Sequence, residues 1–274
     1  MSIFHNQEQQ RLWKTFHMEI PFSGFATLGK EWKAEQVCSP FSRLYYITKG
    51  EGTLFLKGSA MPLLEGNVYL IPAGLVYSYN CPEYMEQLFF HINYTHMNGI
   101  DLFRSCDNVY SHPIAEEEAF QICGLYNSDI PADAILLQSC ILEELSRFID
   151  LADLKEPSLA QYSSLVKQVF TLAQTPVNIN LRISDLAHTL HVAPSTLTKR
   201  FHQETGMTGM TPQEYINQLV ISKACSLLLN DEYSIARVAE ILGFSDQFYF
   251  SKFFRKQMWT SPSRYRQQMK GGAV

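Results

Sequence analysis

Several features that mark common protein classes are missing from this sequence of 274 residues. Its six cysteines stand far apart without a C-x-x-C pair, which predicts reduced, mostly buried thiols rather than disulfides or zinc ligands. No apolar run approaches the roughly 18 residues that cross a bilayer, and the polar start lacks the regions of a signal peptide. We therefore expect a cytoplasmic protein without a membrane partner.

Residues that would form a metal site or a catalytic centre are also scarce. His91 and His96 form a close histidine pair, but alternation along a strand would place them on opposite faces. No nucleophile with a base and no pair of carboxylates is recognisable, and the run Glu116, Glu117, Glu118 is typical of a solvated helix start. The sequence thus predicts no metal, no cofactor and no enzyme activity.

The chain also lacks a strong overall charge, since its formal net charge is −5. The charge is divided unevenly: residues 1–175 carry 11 Lys and Arg against 20 Asp and Glu, whereas residues 176–274 carry 11 against 7. From Asp246 onward, six cations face a single acid. Such asymmetry predicts a C-terminal part that binds nucleic acid, attached to an acidic N-terminal part.

The N-terminal part contains short runs with period-two alternation, separated by Gly, Pro and Asn turns. These runs predict an all-β segment from Phe16 to about Tyr94. Five of its aromatic residues are candidates for stacking on a sugar-like ligand inside a barrel: Trp32, Tyr45, Tyr69, Tyr77 and Tyr79. The alternative for each tyrosine is core packing with its hydroxyl hydrogen-bonded.

A helix with one apolar face is predicted after the β segment, in the stretch DAILLQSCILEELSRFIDLA. Its apolar positions are Leu137, Cys140, Ile141, Leu145, Phe148 and Ile149. This face would cover the β segment or pair with the same helix of a second copy. A linker is expected around Pro157.

The C-terminal third contains a repeat. ISDLAHTLHV from Ile183 and IARVAEILGF from Ile235 have matching apolar positions at an offset of 52, and the offset becomes 53 after a short turn. Each copy predicts a helix, a tight turn and a second helix. Between the copies, residues 212–229 predict one helix of 18 residues, about 27 Å long, which would separate two DNA-reading heads.

The segment FSDQFYFSKFFRKQ, residues 244–257, combines six aromatic residues with three cations. As a helix it would have a buried face with Phe250, Phe253 and Phe254 and an outward face with Phe248, Lys252 and Arg255. Burying Phe248 in the core would also bury two cations at a high desolvation cost, so this face needs an external partner. In the first copy the equivalent places hold Ser195, Lys199 and His202. We expect both outward faces to lie in the major groove of double-stranded DNA.

These motifs resemble the AraC/XylS family of bacterial transcription regulators. The resemblance covers about Tyr162 to Gln268 and includes ISDLA, STLTKRFHQETG, TPQEYI, SIARVAEILGFSDQFYFSKFFRKQ and SPSRYR. It implies DNA contacts from Ser195, Thr198 and Lys199 in the first copy and from Gln247, Phe248, Tyr249 and Lys252 in the second. It also implies an activator that contacts RNA polymerase, a homodimer, and an N-terminal sensor for a small-molecule effector, since the β segment resembles the cupin-type barrel of such regulators.

Two departures from the family pattern are visible. The first copy has three extra residues in TGMTGMTP, at Met207 to Met210, which would displace the helices on either side. In the second copy, Trp259 occupies a place where the family usually has a helix-ending glycine.

The sequence therefore predicts an α+β protein with two domains. Residues 1–155 would form a cupin-like barrel followed by helices, and residues 160–274 an all-α domain with two helix-turn-helix units joined by a long helix. The predicted function is a sequence-specific DNA-binding transcription regulator that responds to a small molecule, with a sugar as the first candidate. Two alternatives stay open: a regulator whose barrel only dimerises or contacts another protein, and a cupin enzyme fused to a DNA-binding domain.

Overall fold

The computed structural model describes residues 16–96, 98–154, 162–205, 211–258 and 260–271. The N-terminal part contains eight strands: β1 (His17–Leu28), β2 (Lys33–Val37), β3 (Ser42–Leu56), β4 (Ser59–Leu64), β5 (Asn67–Ile71), β6 (Tyr77–Asn80), β7 (Met85–Thr95) and β8 (Tyr110–Pro113). We call these strands the β-domain. A short 3-10 helix, Leu102–Ser105, precedes β8. The predicted all-β segment is confirmed.

The long strand β3 organises this antiparallel sheet. Its first part pairs with β5 and β7, and its last part pairs with β4 and β6, while β1 and β8 lie at the ends of the path β1-β7-β3-β5-β8. The change of partners occurs near Gly50, whose φ is +70°. A Cβ on Gly50 would lie 2.3 Å from the carbonyl oxygen of Tyr84, so only glycine permits this close approach of two backbones.

Alternating residues of β3 face two different cores because successive side chains of a strand point to opposite sides. Tyr45 and Ile47 belong to an aromatic core on one side of the sheet. Tyr46 packs edge to face against Phe90, which in turn meets Tyr126 of the following helices. The aromatic core consists of Ala26, Leu28, Trp32, Tyr45, Ile47, Leu54, Leu63, Tyr69, Ile71, Leu75, Tyr77, Cys81, Met85 and Phe89.

Nine α-helices follow in the described residues: α1 (Glu116–Tyr126), α2 (Pro131–Leu151), α3 (Ser164–Gln174), α4 (Ile183–Thr189), α5 (Pro194–Glu204), α6 (Pro212–Leu229), α7 (Ile235–Ile241), α8 (Gln247–Met258) and α9 (Pro262–Gly271). Helix α1 begins at the predicted glutamate run. Helix α2 buries Ile141, Leu145 and Phe148, as its apolar spacing predicts. It also buries Glu144, whose carboxylate lies 2.7 Å from His112 of β8 and 3.1 Å from Arg147.

Helix α6 has the bounds that the sequence predicts, and its start is fixed by a capping box. The Thr211 hydroxyl accepts a hydrogen bond from the Glu214 backbone N–H at 3.2 Å, and the Thr211 backbone N–H donates to the Glu214 carboxylate at 2.7 Å. Helix α6 buries residues along its whole length, from Tyr215 to Leu228. It is therefore a core element of the helical region as well as a spacer.

The chain divides into two compact units that each combine separate segments. One unit contains Asn93–Ser105 and Pro157–Phe250, and the other contains Ile20–Ile92, Cys106–Glu156 and Ser251–Val274. The predicted domain boundary between residues 155 and 160 lies outside the described residues and stays a prediction. Met207 to Met210 and Trp259, the two departures from the family pattern, also lie outside them.

The cysteines were expected to be reduced and mostly buried. None of the six cysteines, all of which are described, forms a disulfide. Two of them, Cys81 and Cys225, are buried and four are half-buried, so the expectation of mostly buried thiols is wrong.

Among the described helices, none combines the length and apolarity that a bilayer crossing requires.

Candidate nucleic-acid interface and effector site

The first helix-turn-helix copy consists of α4 and α5. Its tight turn places His191 at a φ of +54°, and the Val192 N–H donates to the Ala187 carbonyl at 3.0 Å. Ala187 is fully buried, which lets the two helices approach closely. Helix α5 then buries Leu197 and Phe201 on one side, and its other side is left for a partner.

The outward side of α5 carries the residues that the sequence predicts for DNA contact. Ser195, Lys199 and His202 are exposed, and Thr198 is half-buried with its hydroxyl donating to the Pro194 carbonyl at 2.9 Å. These four residues line one open surface groove together with Ile183, Pro194 and Gln203. The structure therefore brings the predicted residues of the first copy together on one accessible surface.

The second copy repeats the same backbone arrangement in α7 and α8. Gly243 occupies the turn with a φ of +80°, and the Phe244 N–H donates to the Ala239 carbonyl at 2.9 Å. This bond corresponds to the bond from Val192 to Ala187 in the first copy. The predicted repeat is confirmed at the level of individual hydrogen bonds.

An aspartate caps the second recognition helix. One Asp246 carboxylate oxygen accepts hydrogen bonds from the backbone N–H groups of Phe248 at 2.8 Å and Tyr249 at 2.7 Å. The bond from Tyr249, together with bonds from the Ser245 hydroxyl and the Phe248 N–H, holds the pKa of Asp246 below its ordinary value. The cap fixes where α8 begins and therefore which side chains it presents outward.

The two faces of α8 are divided as the sequence predicts. Phe248 is 77% exposed, whereas Phe250 and Phe254 are fully buried and Phe253 is half-buried. The exposed residues predicted for DNA contact are Gln247, Phe248, Tyr249, Lys252 and Arg255. Tyr249 is 53% exposed and its ring lies 5.6 Å from that of Phe244. The outward facing of Phe248 is confirmed, and the DNA contacts themselves stay predictions.

The β-domain brings its five predicted aromatic residues into one region. Trp32, Tyr45, Tyr69 and Tyr77 belong to the aromatic core, and Tyr79 packs against it half-buried. The Trp32 and Tyr79 rings are 4.1 Å apart. Tyr69 uses its hydroxyl to accept a hydrogen bond from the Leu64 N–H at 2.8 Å, which matches the core-packing alternative for this residue. Burial raises the pKa of both Tyr45 and Tyr79, so both are neutral phenols near pH 7.

Three buried polar residues lie beside this core; Arg43 and Gln87 were not predicted from the sequence, and His91 was considered only as half of a histidine pair. Arg43 of β3 lies opposite His91 of β7 in the sheet register, and Gln87 precedes His91 by four residues on the same face of β7. Arg43 is 3% exposed and donates hydrogen bonds to the Tyr77 hydroxyl and, at 2.6 Å, to the Ser39 hydroxyl. The alternation of strand residues could have predicted these positions. Arg43 lies two residues from Tyr45 on the same face of β3, and His91 and Gln87 each lie two residues from Phe89 on the same face of β7.

Two of these buried groups have an atom without a hydrogen-bond partner in the described part of the chain. The atoms are Oε1 of Gln87 and Nδ1 of His91. Burial, with a smaller contribution from the Arg43 charge, lowers the pKa of His91 well below its ordinary value, so the imidazole is neutral near pH 7. No three His, Cys, Asp or Glu side chains of the described residues come together in a way that could hold a metal ion.

A buried tyrosine connects the first helix-turn-helix copy to the segment after β7. The Tyr215 hydroxyl of α6 donates to the Asn98 carbonyl at 2.5 Å and accepts from Gln174 at 3.3 Å. Its ring lies 5.5 Å from Phe201 of α5. A Cβ on Gly99 would come within 3.0 Å of Leu219 on α6, so the turn after β7 lies closely against this helix.

Comparisons with known proteins agree with this arrangement. The family model of a helix-turn-helix domain matches residues 186–268. The Msm operon regulatory protein of Streptococcus mutans is 24% identical, covering 82% of this chain and 84% of that protein. The lactose operon transcription activator of Staphylococcus xylosus is 25% identical over 94% of this chain and 96% of its own length. The structure of ToxT from Vibrio cholerae superimposes with a TM-score of 0.60 at 16% identity, covering 93% and 98% of the two chains, which confirms the predicted fold class.

Proposed function

We propose that this chain is a DNA-binding transcription regulator of the AraC/XylS type. Both of its recognition helices contact the major groove, and a polar small molecule bound in the β-domain controls this contact. The observation that carries the proposal is the pair of exposed faces on α5 and α8, presented by turns with matching hydrogen bonds. A similar backbone in both copies supports a similar docking on successive turns of DNA.

The two faces support different modes of base recognition. Lys199 and Lys252 have the chemistry to donate hydrogen bonds to guanine O6 and N7, and the Gln247 amide to pair with adenine. Phe248 offers an apolar surface to a thymine methyl group. The first copy, with Ser195, would depend more on hydrogen bonds and charge, and the second more on apolar contact.

The effector proposal rests on the unsatisfied groups beside the aromatic core. Leaving a buried acceptor without a donor costs about 1–3 kcal/mol, so a ligand hydroxyl that reaches Gln87 Oε1 or His91 Nδ1 would recover that energy. Trp32 and Tyr79 provide a ring surface for the apolar face of a sugar. The relative named for a lactose operon supports a sugar as the class to test first.

Signal transfer to the DNA-binding helices would use the segment after β7. Strand β7 carries His91 beside the aromatic core and leads into Asn98, whose carbonyl accepts the Tyr215 hydroxyl. Tyr215 packs against Phe201 of recognition helix α5. A small displacement of β7 on ligand binding would therefore reach α5 through a single buried hydrogen bond and one ring contact.

A homodimer, an activating role and contact with RNA polymerase are also part of the proposal. Helices α1 and α2 expose large apolar side chains, with Phe120 at 82%, Ile135 at 67% and Leu136 at 51%. Pairing of this surface with a second copy would remove it from water. Sedimentation would test it: Leu136→Glu should shift the protein toward monomer, and an unchanged association would assign the dimer to another surface. The activating role follows the name of the lactose operon relative.

One experiment addresses both DNA binding and the effector. The full chain is used to select duplexes from a random-sequence pool, and binding to those duplexes is measured with and without each sugar that raises the melting temperature. A responsive sugar should stabilise the protein by mass action and change DNA affinity, and Trp32→Ala should abolish both effects. Tyr84→Phe, at an exposed position of the β-domain, is the control. Absence of any shift across sugars and related metabolites would favour the ligand-independent regulator.

A further inference from the structure

The segment that leads into the first helix-turn-helix copy contacts the second copy at a place away from α6. The loop between α3 and α4 touches the turn of the second copy at three points. The Ile179 N–H donates to the Leu242 carbonyl at 3.0 Å, and the Asn180 side-chain amide donates to the Gly243 carbonyl at 2.5 Å. The Asn178 side chain lies directly over Gly243. We call Asn178, Ile179 and Asn180 the inter-copy bridge.

A side chain on Gly243 would displace the Asn178 side chain from its place over the turn. A Cβ on Gly243 would lie 2.4 Å from Oδ1 and 2.5 Å from Nδ2 of Asn178, closer than any real contact. The positive φ of +80° alone already favours glycine at this place. The absence of a side chain on Gly243 also allows the Asn178 amide of the loop before α4 to lie over the turn.

The bridge is held firmly on the side of the first copy. Asn178 accepts a hydrogen bond from the Asn180 N–H at 2.8 Å, a local turn that presents Ile179 and Asn180 to the second copy. Two residues later, the Arg182 N–H donates to the Asp185 carboxylate at 3.2 Å at the start of α4. A displacement of α4 and α5 would therefore move the bridge with it.

The bridge acts close to the second recognition helix. Gly243 precedes the first residue of α8, Gln247, by only four positions, and Asp246 caps α8 between them. A shared helix such as α6 sets the separation of two heads along its axis. A second contact away from that axis also restricts rotation of one head about the helix.

We propose that the inter-copy bridge is a positioning element for DNA binding: it fixes the rotation of α8 relative to α5 and so sets the spacing of base pairs that the two helices read together. Neither Asn178 nor Asn180 needs to touch DNA for this role. The proposal rests on the proposed use of both recognition helices, and it assigns a specificity-determining function to a loop outside both of them.

The test uses duplexes selected by the wild-type full chain, with one base pair inserted or removed between the two half-sites. One base pair moves a half-site by about 3.4 Å and rotates it by about 35°. If the two recognition helices are held rigidly, this change moves one of them away from its bases, and the affinity should fall by about tenfold or more. The double variant Asn178→Ala/Asn180→Ala should retain binding to the original duplex within about threefold, with the insertion penalty reduced to about threefold or less.

The control is Asn230→Ala. Asn230 makes the same kind of local turn, accepting from the Glu232 N–H at 2.9 Å, in the connection between α6 and α7. It should retain the full insertion penalty. If the double variant unfolds at the assay temperature, Asn180→Ala alone takes its place, since this side chain is exposed and its loss leaves the backbone bond of Ile179 intact.

The outcomes separate this proposal from the one on which it rests. A wild-type protein without any insertion penalty would overturn the joint use of two recognition helices, and the bridge with it. A wild-type penalty that the bridge variants keep in full would overturn the bridge alone. A penalty that Asn230→Ala also loses would show general loosening of the domain and would equally overturn the assigned role.

Discussion

The two helix-turn-helix copies share a backbone and a lysine at equivalent outward positions, Lys199 and Lys252, but differ in the aromatic residues that they expose. Both turns contain a residue with positive φ, His191 in the first and Gly243 in the second, followed by the same backbone hydrogen bond. The outward face of α5 is polar, whereas that of α8 exposes the rings of Phe248 and Tyr249. The comparison shows that packing constrains the turn and the buried side chains, while the outward side chains are free to diverge.

The starts of the two recognition helices differ as well. Helix α5 begins with Pro194. The residue before it, Ala193, has no side-chain group that could accept a hydrogen bond from the first backbone N–H groups of the helix. Helix α8 is capped by the Asp246 carboxylate, which binds two backbone N–H groups. Pro194 restricts the φ of the first residue of α5 and adds no charge. Asp246 instead places a negative charge at the positive end of the dipole of α8. The start of α8 is therefore stabilised by an ionised carboxylate, whereas the start of α5 is not.

The largest expected effect concerns the buried side chains that the copies have in common. Phe250→Ala should lower the free energy of unfolding by about 3–5 kcal/mol and Leu197→Ala by about 2–5 kcal/mol, because each removes a fully buried side chain. Denaturant titration of both variants measures these losses. Comparable losses would show that both copies depend equally on core packing, and a loss below about 1 kcal/mol in either would contradict its core position.

The sequence predicted the local parts of this comparison because they depend on helical periodicity. A period of 3.6 residues was sufficient to separate Phe248 from Phe250, and the same kind of pattern predicted α6 at residues 212–229. These properties are set by residues within one or two turns of each other. The Asp246 cap is equally local, because its carboxylate accepts hydrogen bonds from backbone N–H groups only two and three residues along the chain.

Contacts between distant residues could not be predicted in this way. The pairs are Arg43 with Tyr77, His112 with Glu144, Tyr215 with Asn98, and Asn178 with Gly243. Each joins residues 32 to 117 positions apart, and no periodic pattern encodes which partner a strand or loop will meet. The positive φ of Gly243 is a local property, but the Asn178 amide that lies over it depends on how two distant segments pack.

The next largest effect concerns one lysine from each copy. Lys199→Ala and Lys252→Ala should each weaken binding to a selected duplex by about 1–3 kcal/mol if both lysines contact bases. Lys223→Ala is the matched control, since it removes the same charge from an exposed position of α6, outside both recognition helices. Binding measured at several salt concentrations separates the modes: an equal loss on all sequences with a smaller salt slope would indicate phosphate contact.

A smaller effect is expected from the exposed ring that distinguishes the second copy. Phe248→Ala should weaken binding by about 1 kcal/mol, chiefly at duplexes with thymine under α8. The free energy of unfolding should stay within about 0.5 kcal/mol of the wild-type value because the ring is 77% exposed. Ser195→Ala in the first copy should show no such thymine dependence. Destabilisation by Phe248→Ala equal to that by Phe250→Ala would contradict the facing of α8.

The smallest effect is a difference in acid sensitivity between the two recognition helices. The pKa of Asp246 is lowered in the folded chain, mainly by its bonds from Tyr249 and Ser245, below the ordinary value of 3.8. A group with a depressed pKa contributes stability above its unfolded pKa and loses it as the pH falls through the folded value. The start of α8 should therefore begin to fray as the pH falls below 3.8, whereas the start of α5, which has no ionisable capping group, should not. Hydrogen exchange of the Phe248 and Tyr249 amides between pH 5 and pH 3 measures this fraying. Asp246→Asn is the control, because the asparagine side-chain oxygen can still accept the two hydrogen bonds but does not titrate. Equal protection of these amides in the wild-type protein and in Asp246→Asn across this range would show that the carboxylate charge adds nothing to the cap.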